Sequence, residues 1–292
     1  MSTTSTQPVD LAGTAVGIEL GSTRIKAVLV GPDQASLAVG GHDWENSFVD
    51  RLWTYPLEAA WDGLRAAYAG LAADLQRRHG VAEITSVGAL GVSAMMHGYL
   101  AFDADGELLT PFRTWRNTNT GAASEQLSER LGQNVPHRWS VAHLYQALLD
   151  HEEHVGRVAF VTTLAGYVHW QLTGEKVIGV GDASGMFPID PATRGYDERM
   201  LATFDGLAAD LGLTSALVDL LPTIRYAGDP AGRLTEAGAA RLDPSGRLQA
   251  GVPLCPPEGD AGTGMVATNS VAPRTGNVSA GTSIFAMVVL ES

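Results

Sequence analysis

Val16-Gly17-Ile18-Glu19-Leu20-Gly21-Ser22-Thr23-Arg24-Ile25-Lys26-Ala27-Val28-Leu29-Val30 is the stretch on which the fold turns. Val16 and Ile18 open an apolar strand, Gly21-Ser22-Thr23 bend the chain, and Ile25 to Val30 make a second strand. Two apolar runs joined by a Gly/Ser/Thr turn predict a β-hairpin. The turn sets a carboxylate, Glu19, at a strand end beside hydroxyls and backbone N–H groups. Such a turn can hold a phosphate, and the carboxylate can hold a metal through water. Taken alone the signal is weak, and the stretch reads first as an ordinary hairpin turn with a surface glutamate.

Working outward, a third strand is expected near Ala35 to Gly40. Pro56 to Gly80 reads as an amphipathic helix, with Leu57, Ala60, Trp61, Leu64, Ala67, Tyr68, Leu71 and Leu75 at three- and four-residue steps. Pro56 suits its first turn and Gly80 the position past its end. Ile84 to Val92 reads as a buried strand, followed by a short strand over Tyr99 to Phe102. Helices are expected at Gly121 to Leu131, Val141 to Leu149, Leu164 to Leu172, Thr235 to Leu242 and from Gly259 to Thr268. Phe187 to Tyr196 reads as a loop. Gly276 to Ala280 and Ser283 to Leu290 read as a second hairpin around Gly281-Thr282. A leading hairpin followed by alternating strands and helices indicates an α/β domain with a mixed sheet.

Composition narrows the function classes. With 45% hydrophobic and 17% charged residues, the chain is globular rather than disordered. Its net charge of -13 disfavours nucleic acid and anionic membranes as partners. Cys255 is the single cysteine, so no internal disulfide forms, which fits a cytoplasmic setting. Residues 1–12 are expected to be a disordered tail without the basic and apolar regions of a signal peptide.

Three further segments carry polar chemistry. In Glu258-Gly259-Asp260-Ala261-Gly262-Thr263-Gly264, Asp260 sits at a helix start among small residues. It reads evenly as an N-terminal cap or as a general base at a cleft. Gly276-Asn277-Val278-Ser279-Ala280-Gly281-Thr282-Ser283 repeats the strand, hydroxyl-rich turn, strand pattern of the first hairpin. His151-Glu152-Glu153-His154 has two histidines three apart, but it follows a helix end and reads as a solvated segment rather than a metal site. On pattern alone, His97 and Trp115 would be core residues.

Taken in order, these segments resemble the FGGY carbohydrate kinases, of the actin, Hsp70 and hexokinase superfamily. Gly91-Val92-Ser93-Ala94-Met95-Met96-His97-Gly98 resembles the Gln-Met-His-Gly segment of the xylulokinase branch. Trp115-Arg116-Asn117 is similar to its Trp-Asn-Asp segment. Leu172-Thr173-Gly174 with Asp182-Ala183-Ser184-Gly185-Met186-Phe187 resembles a further family stretch, and Gly259-Asp260 its catalytic Gly-Asp. The resemblance implies an RNase H-like fold, with a mixed five-stranded sheet flanked by helices. It implies a sugar-binding domain over 13–270 and the first hairpin of an ATP-binding domain over 271–292.

The resemblance also implies site roles. Asp260 is the base that takes the sugar hydroxyl proton, and Glu19 and Asp260 place magnesium. Gly21, Ser22, Thr23 and Lys26 hold phosphate, with Gly281 and Thr282 as the second phosphate turn. Met96, His97, Trp115 and Asn117 line the sugar pocket, with His97 as a neutral imidazole. Glu19 stands where the family has Asp, and Asn117 and Asn119 stand where Asp and Arg are common. The implied ligands are a ketose of pentulose type, ATP and Mg2+. The chain is expected to end inside the second lobe, binding sugar but turning it over poorly. The hairpin edge so exposed could pair two copies into a homodimer. The rival readings are a non-catalytic sugar sensor and an Hsp70-like ATPase module.

Overall fold

The computed structural model describes residues 9–280 and 284–291. Its centre is a five-stranded mixed sheet with spatial order Glu258–Gly259, Ala89–Ala94, Ala15–Leu20, Arg24–Val30, Ser36–Asp43. The first three strands in that order run parallel, and the last two are antiparallel to their neighbours. Val16, Ile18 and Leu20 alternate inward, as do Ile25, Ala27 and Leu29 on the paired strand. That period-two pattern fixes the register, because a slip of one residue would turn the whole apolar set outward.

The helix Leu57–His79 covers this apolar face with Ala60, Trp61, Leu64, Ala67, Leu71 and Leu75. It stops at Gly80, whose φ of 73° turns the chain and whose N–H caps Gln76 O. The helix lies unusually close to the edge strand at Gly40. A Cβ there would fall 2.0 Å from Ala67 O and 2.3 Å from Leu71 N. The expected helices over 121–131, 141–149, 164–172 and 235–242 are found at Gly121–Leu131, Ser140–Leu149, Leu164–Thr173 and Glu236–Leu242. Thr163 and Thr235 cap the last two through their side chains. A second apolar cluster, with Leu127, Leu144, Tyr145, Phe187 and Phe204, gathers the helices of the middle of the chain.

Several elements depart from expectation. The strand expected over Ile84 to Val92 is Ala89–Ala94 instead. Its parallel partner starts only at Ala15, paired with Ala89, because Leu11–Gly13 form a 3-10 turn that carries the chain away. Ile84 and Val87 are buried without joining the ladder. The third strand runs on to Asp43. Inside the expected loop over 187–196, Ile189–Asp190 pair with Gly195–Tyr196. The helix Glu198–Asp210 has no counterpart in the sequence reading, although Asp197 caps it through Met200 N at 2.9 Å. Ser47–Val49 and Leu52–Thr54 form an unforeseen hairpin whose turn residues, Asp50 and Arg51, both have positive φ. Turns of that kind favour Asn, Asp and Gly; Asp50 fits and Arg51 does not, so the sequence signal for it is weak. Among the described residues no helix is long and apolar enough to cross a membrane.

The Gly40 crossing gives a direct test. Gly40→Val should lower stability by about 1–3 kcal/mol through overpacking, read as a lower urea midpoint with an unchanged slope. An unchanged midpoint would mean that the helix and edge strand part without cost.

Candidate active site

The three parallel strands end side by side, with Glu19 beside Ser93 and Glu258 beside Ser93 in register. The crevice outside the carboxyl ends of parallel strands is where ligands of open α/β sheets sit. Four carboxylates converge there. Asp260 opens the helix Asp260–Ala267, and its Oδ1 accepts a hydrogen bond from Met96 N at 3.2 Å. Burial raises its pKa, backbone hydrogen bonds oppose the rise, and the Glu19 charge adds to it. Asp260 is therefore a stronger base than an ordinary aspartate.

Behind it stand two acids that the sequence reading quotes but gives no role. Glu258 accepts N–H bonds from Gly181 at 3.3 Å and Asp182 at 3.0 Å, while burial raises its pKa. A Cβ on Gly179 would fall 2.2 Å from Glu258 Oε1, so the glycine makes room for the carboxylate. Asp182 is fully buried, and its Oδ2 accepts from Thr163 Oγ1 at 2.6 Å. Burial first, then the charges of Glu258 and Asp260, push it up to about 8. Its Oδ1 has no partner among the described residues. Their sequence signals are the family-like stretch that begins at Asp182, the excess of glycines around 179–185 and the lone Glu before Gly259-Asp260.

The residues expected to line a sugar pocket are placed as follows. His97 has a φ of 68°, and Gly98 follows at 93°. A left-handed histidine is uncommon and is held here by its surroundings. Its Nδ1 lies 3.4 Å from Gly185 O, and burial, with the Arg138 charge, lowers its pKa to about 4. The imidazole is neutral, and donation from Nδ1 to the Gly185 carbonyl would leave Nε2 as an acceptor. Gly185 itself is required, since a Cβ there would meet His97 Nδ1 at 2.5 Å. The Met96 side chain packs over Gly259 Cα, and its N–H serves Asp260.

Trp115 is half-buried against the main core and lines a pocket of about 250 Å3 with Ser22, Thr23, Trp44, Glu45, Asn46 and Arg116. Asn117 is turned elsewhere. Its Oδ1 accepts Trp53 N at 2.9 Å, and its Nδ2 donates to Trp53 O at 2.8 Å and Thr114 O at 3.1 Å. The amide that the sequence suggested for hydroxyl recognition instead clamps the small hairpin to the pocket wall. Lys26 is likewise occupied, with Nζ 3.3 Å from Glu19 Oε2.

At the first turn, the carbonyls of Gly21, Ser22 and Thr23 accept from Trp44 Nε1 at 2.7 Å, Tyr55 OH at 2.6 Å and Trp44 N at 3.1 Å. The Ser22 and Thr23 amides donate to nothing among the described residues. Gly281 and Thr282 lie outside the described residues. Among the described residues no group of three or more His, Cys, Asp or Glu is placed to hold a metal ion. The segment over 151–154 is not solvated throughout. His154 is buried, 2.9 Å from Tyr99 OH and 3.2 Å from Glu152, which also pairs with buried Arg113.

Residues 14–266 match the model of the FGGY family of carbohydrate kinases, N-terminal domain. The chain is 26% identical over 201 residues to the xylulose kinase of Klebsiella pneumoniae, covering 65% of this chain and 40% of that protein. It superposes on the xylulose kinase of Rhodospirillum rubrum with a TM-score of 0.77 at 21% identity, over 94% of this chain and 55% of that one. The Brucella ovis xyloylose kinase gives the same TM-score over 93% of this chain and 54% of that one. The chain therefore spans roughly half the length of the relatives it matches. These structures share the RNase H-like arrangement of a mixed five-stranded sheet between helices.

The carboxylate cluster makes stability depend on pH in a defined sense. Asp182 keeps its proton in the fold up to about pH 8, whereas the unfolded chain releases it from an ordinary value of 3.8. The contribution is complete at acid pH and is lost as pH rises through about 8. Glu258 and Asp260 act in the same direction. The melting temperature should fall from pH 5 to pH 8, and Asp182→Asn should flatten that fall. An unchanged pH slope in the variant would show that Asp182 is ionised throughout.

Proposed function

Because the chain belongs to the FGGY family of carbohydrate kinases through its N-terminal domain, we propose that it forms the sugar side of an ATP-dependent phosphotransferase site. The acceptor is a hydroxyl of a small ketose of pentulose type. Asp260 takes the hydroxyl proton as the oxygen attacks the γ-phosphorus of ATP, and ADP leaves with the bridging oxygen. The observation that carries this reading is the raised, half-buried Asp260 carboxylate, pinned by Met96 N at the ends of the parallel strands.

The remaining roles extend the same reading. Neutral His97 accepts from a sugar hydroxyl through Nε2, and Trp115 offers an apolar wall. The unengaged amides of Ser22 and Thr23 receive phosphate oxygens, with Gly281 and Thr282 as the matching turn. Glu19 and Asp260 provide two carboxylates, which suits a magnesium ion arriving on nucleotide phosphates. That ion neutralises phosphate charge. The Lys26 ammonium balances Glu19 in its absence. The exposed thiol of Cys255 suits a reducing, cytoplasmic setting.

Asp260→Asn should leave sugar-induced thermal stabilisation in place while lowering ATP-dependent sugar phosphorylation about 10²- to 10⁴-fold, in protein whose wild type turns over. His97→Ala should instead abolish the thermal stabilisation. Retention of full phosphorylation by Asp260→Asn would remove the base from the scheme. A chain that ketoses stabilise without any nucleotide-dependent reaction would be a sensor.

A further inference from the structure

The pocket beside the first turn holds a charge that proton abstraction and phosphate binding leave unused. The Arg116 guanidinium lies flat on Trp53, with Cζ 3.8 Å from the ring centre. Its Nη1 donates to Asn46 Oδ1 at 3.2 Å, and Asn46 Nδ2 in turn lies 3.3 Å from Tyr55 OH. Asn117 fixes the backbone of Trp53 from behind. Arg116 is thus held by stacking, a hydrogen bond and a clamped platform. Among the described residues it makes no ion pair with a carboxylate. A fixed guanidinium without a counter-charge presents a planar fork that suits an oxyanion. Trp44 and Trp115 supply apolar walls for a carbon chain, and Ser22 and Thr23 supply hydroxyls.

We propose that Arg116 shifts the acceptor preference from the neutral pentulose-type ketose to sugars of that size that carry an oxyanion, in the first place the carboxylate of a sugar acid, bound in the pocket between Trp115 and the Gly21-Ser22-Thr23 turn. The acceptor hydroxyl and its base rest on the kinase reading above; the charge recognition rests on Arg116. A phosphate ester would share the chemistry. Exposed Glu45 lines the same pocket, and Glu19 and Asp260 lie at the strand ends, so the single charge of a carboxylate meets less repulsion than a phosphate dianion.

The test is calorimetric titration of the purified chain with D-xylonate, its neutral counterpart xylitol, D-xylulose and inorganic phosphate. Xylonate should bind about tenfold or more tightly than xylitol, as expected for a charge-assisted pair, and added salt should narrow the gap. Arg116→Gln should bring xylonate down to the level of xylitol, and Arg116→Lys should restore part of the difference. Thermal unfolding of both variants checks that they fold. Xylulose or xylitol binding as tightly as xylonate overturns the inference but leaves the kinase reading intact. So does a xylonate advantage that survives Arg116→Gln. Phosphate binding that Arg116→Gln removes, without a xylonate advantage, assigns the guanidinium to the transferred group and also overturns it. Binding of none of these polyols removes both readings together.

Discussion

Everything in the crevice depends on how four carboxylates are tolerated at the ends of three parallel strands. Asp182, Glu258 and Asp260 are each pulled from water, and each is raised accordingly. A buried carboxylate persists only where hydrogen bonds or protonation offset the lost hydration. Glu258 is served by two backbone N–H groups, Asp260 by the Met96 amide, and Asp182 keeps its proton. These solutions differ because the supply of donors differs. The backbone around 181–182 can serve one acid, and Glu258 takes it. Asp182 then faces neighbouring negative charge with one hydroxyl partner and resolves the conflict by staying neutral. The glycines follow from the same crowding. At 179, 181, 185 and 259 a Cβ would intrude on Glu258, Glu258, His97 and Met96 respectively.

A second constraint links the first turn to the pocket wall. Trp44 and Tyr55 flank the hairpin over 47–54 and occupy the three carbonyls of the turn over 21–23. With the carbonyls engaged there, the amides of Ser22 and Thr23 are left for an incoming acceptor. The same segment carries Trp53, which supports Arg116 and is held by Asn117. One segment after the third strand thus shapes both the turn over 21–23 and the floor of the pocket beside it. Asn117 acts on the pocket through Trp53, two steps from any ligand.

The architecture was legible because its signals are local. Alternation over 16–30, the helical spacing over 57–75 and the glycine at 80 each state a single conformation. The strand at 89–94 was misplaced because its limits come from a partner far away in sequence, not from its own residues. Helix 198–210 was missed although Met200, Leu201, Phe204, Leu207 and Ala208 recur at three- and four-residue steps behind the Asp197 cap, a local signal that the reading of the sequence left unused. The site was legible only in part. The resemblance singled out Asp260, Met96 and His97, and the fold carries all three to the crevice. It also assigned Asn117 to the ligand, whereas an amide of the same kind serves equally well to bind backbone. Glu258 and Asp182 were given no role because their importance lies in what surrounds them. Nothing in a single carboxylate's sequence neighbours reports that three others converge on it.

Glu19 illustrates how such a departure can be absorbed. It faces Lys26 directly across the antiparallel pair, and the two side chains meet at 3.3 Å. Both are roughly half exposed, so the pair contributes little to stability. Its effect is electrostatic and local. Glu19 raises the pKa of Asp260, and the ammonium on its far oxygen moderates the negative charge that Asp260 meets. A glutamate is long enough to reach across to the lysine from a strand position beside Ser93. The longer side chain is thus accommodated at the strand end by the lysine that faces it across the pair.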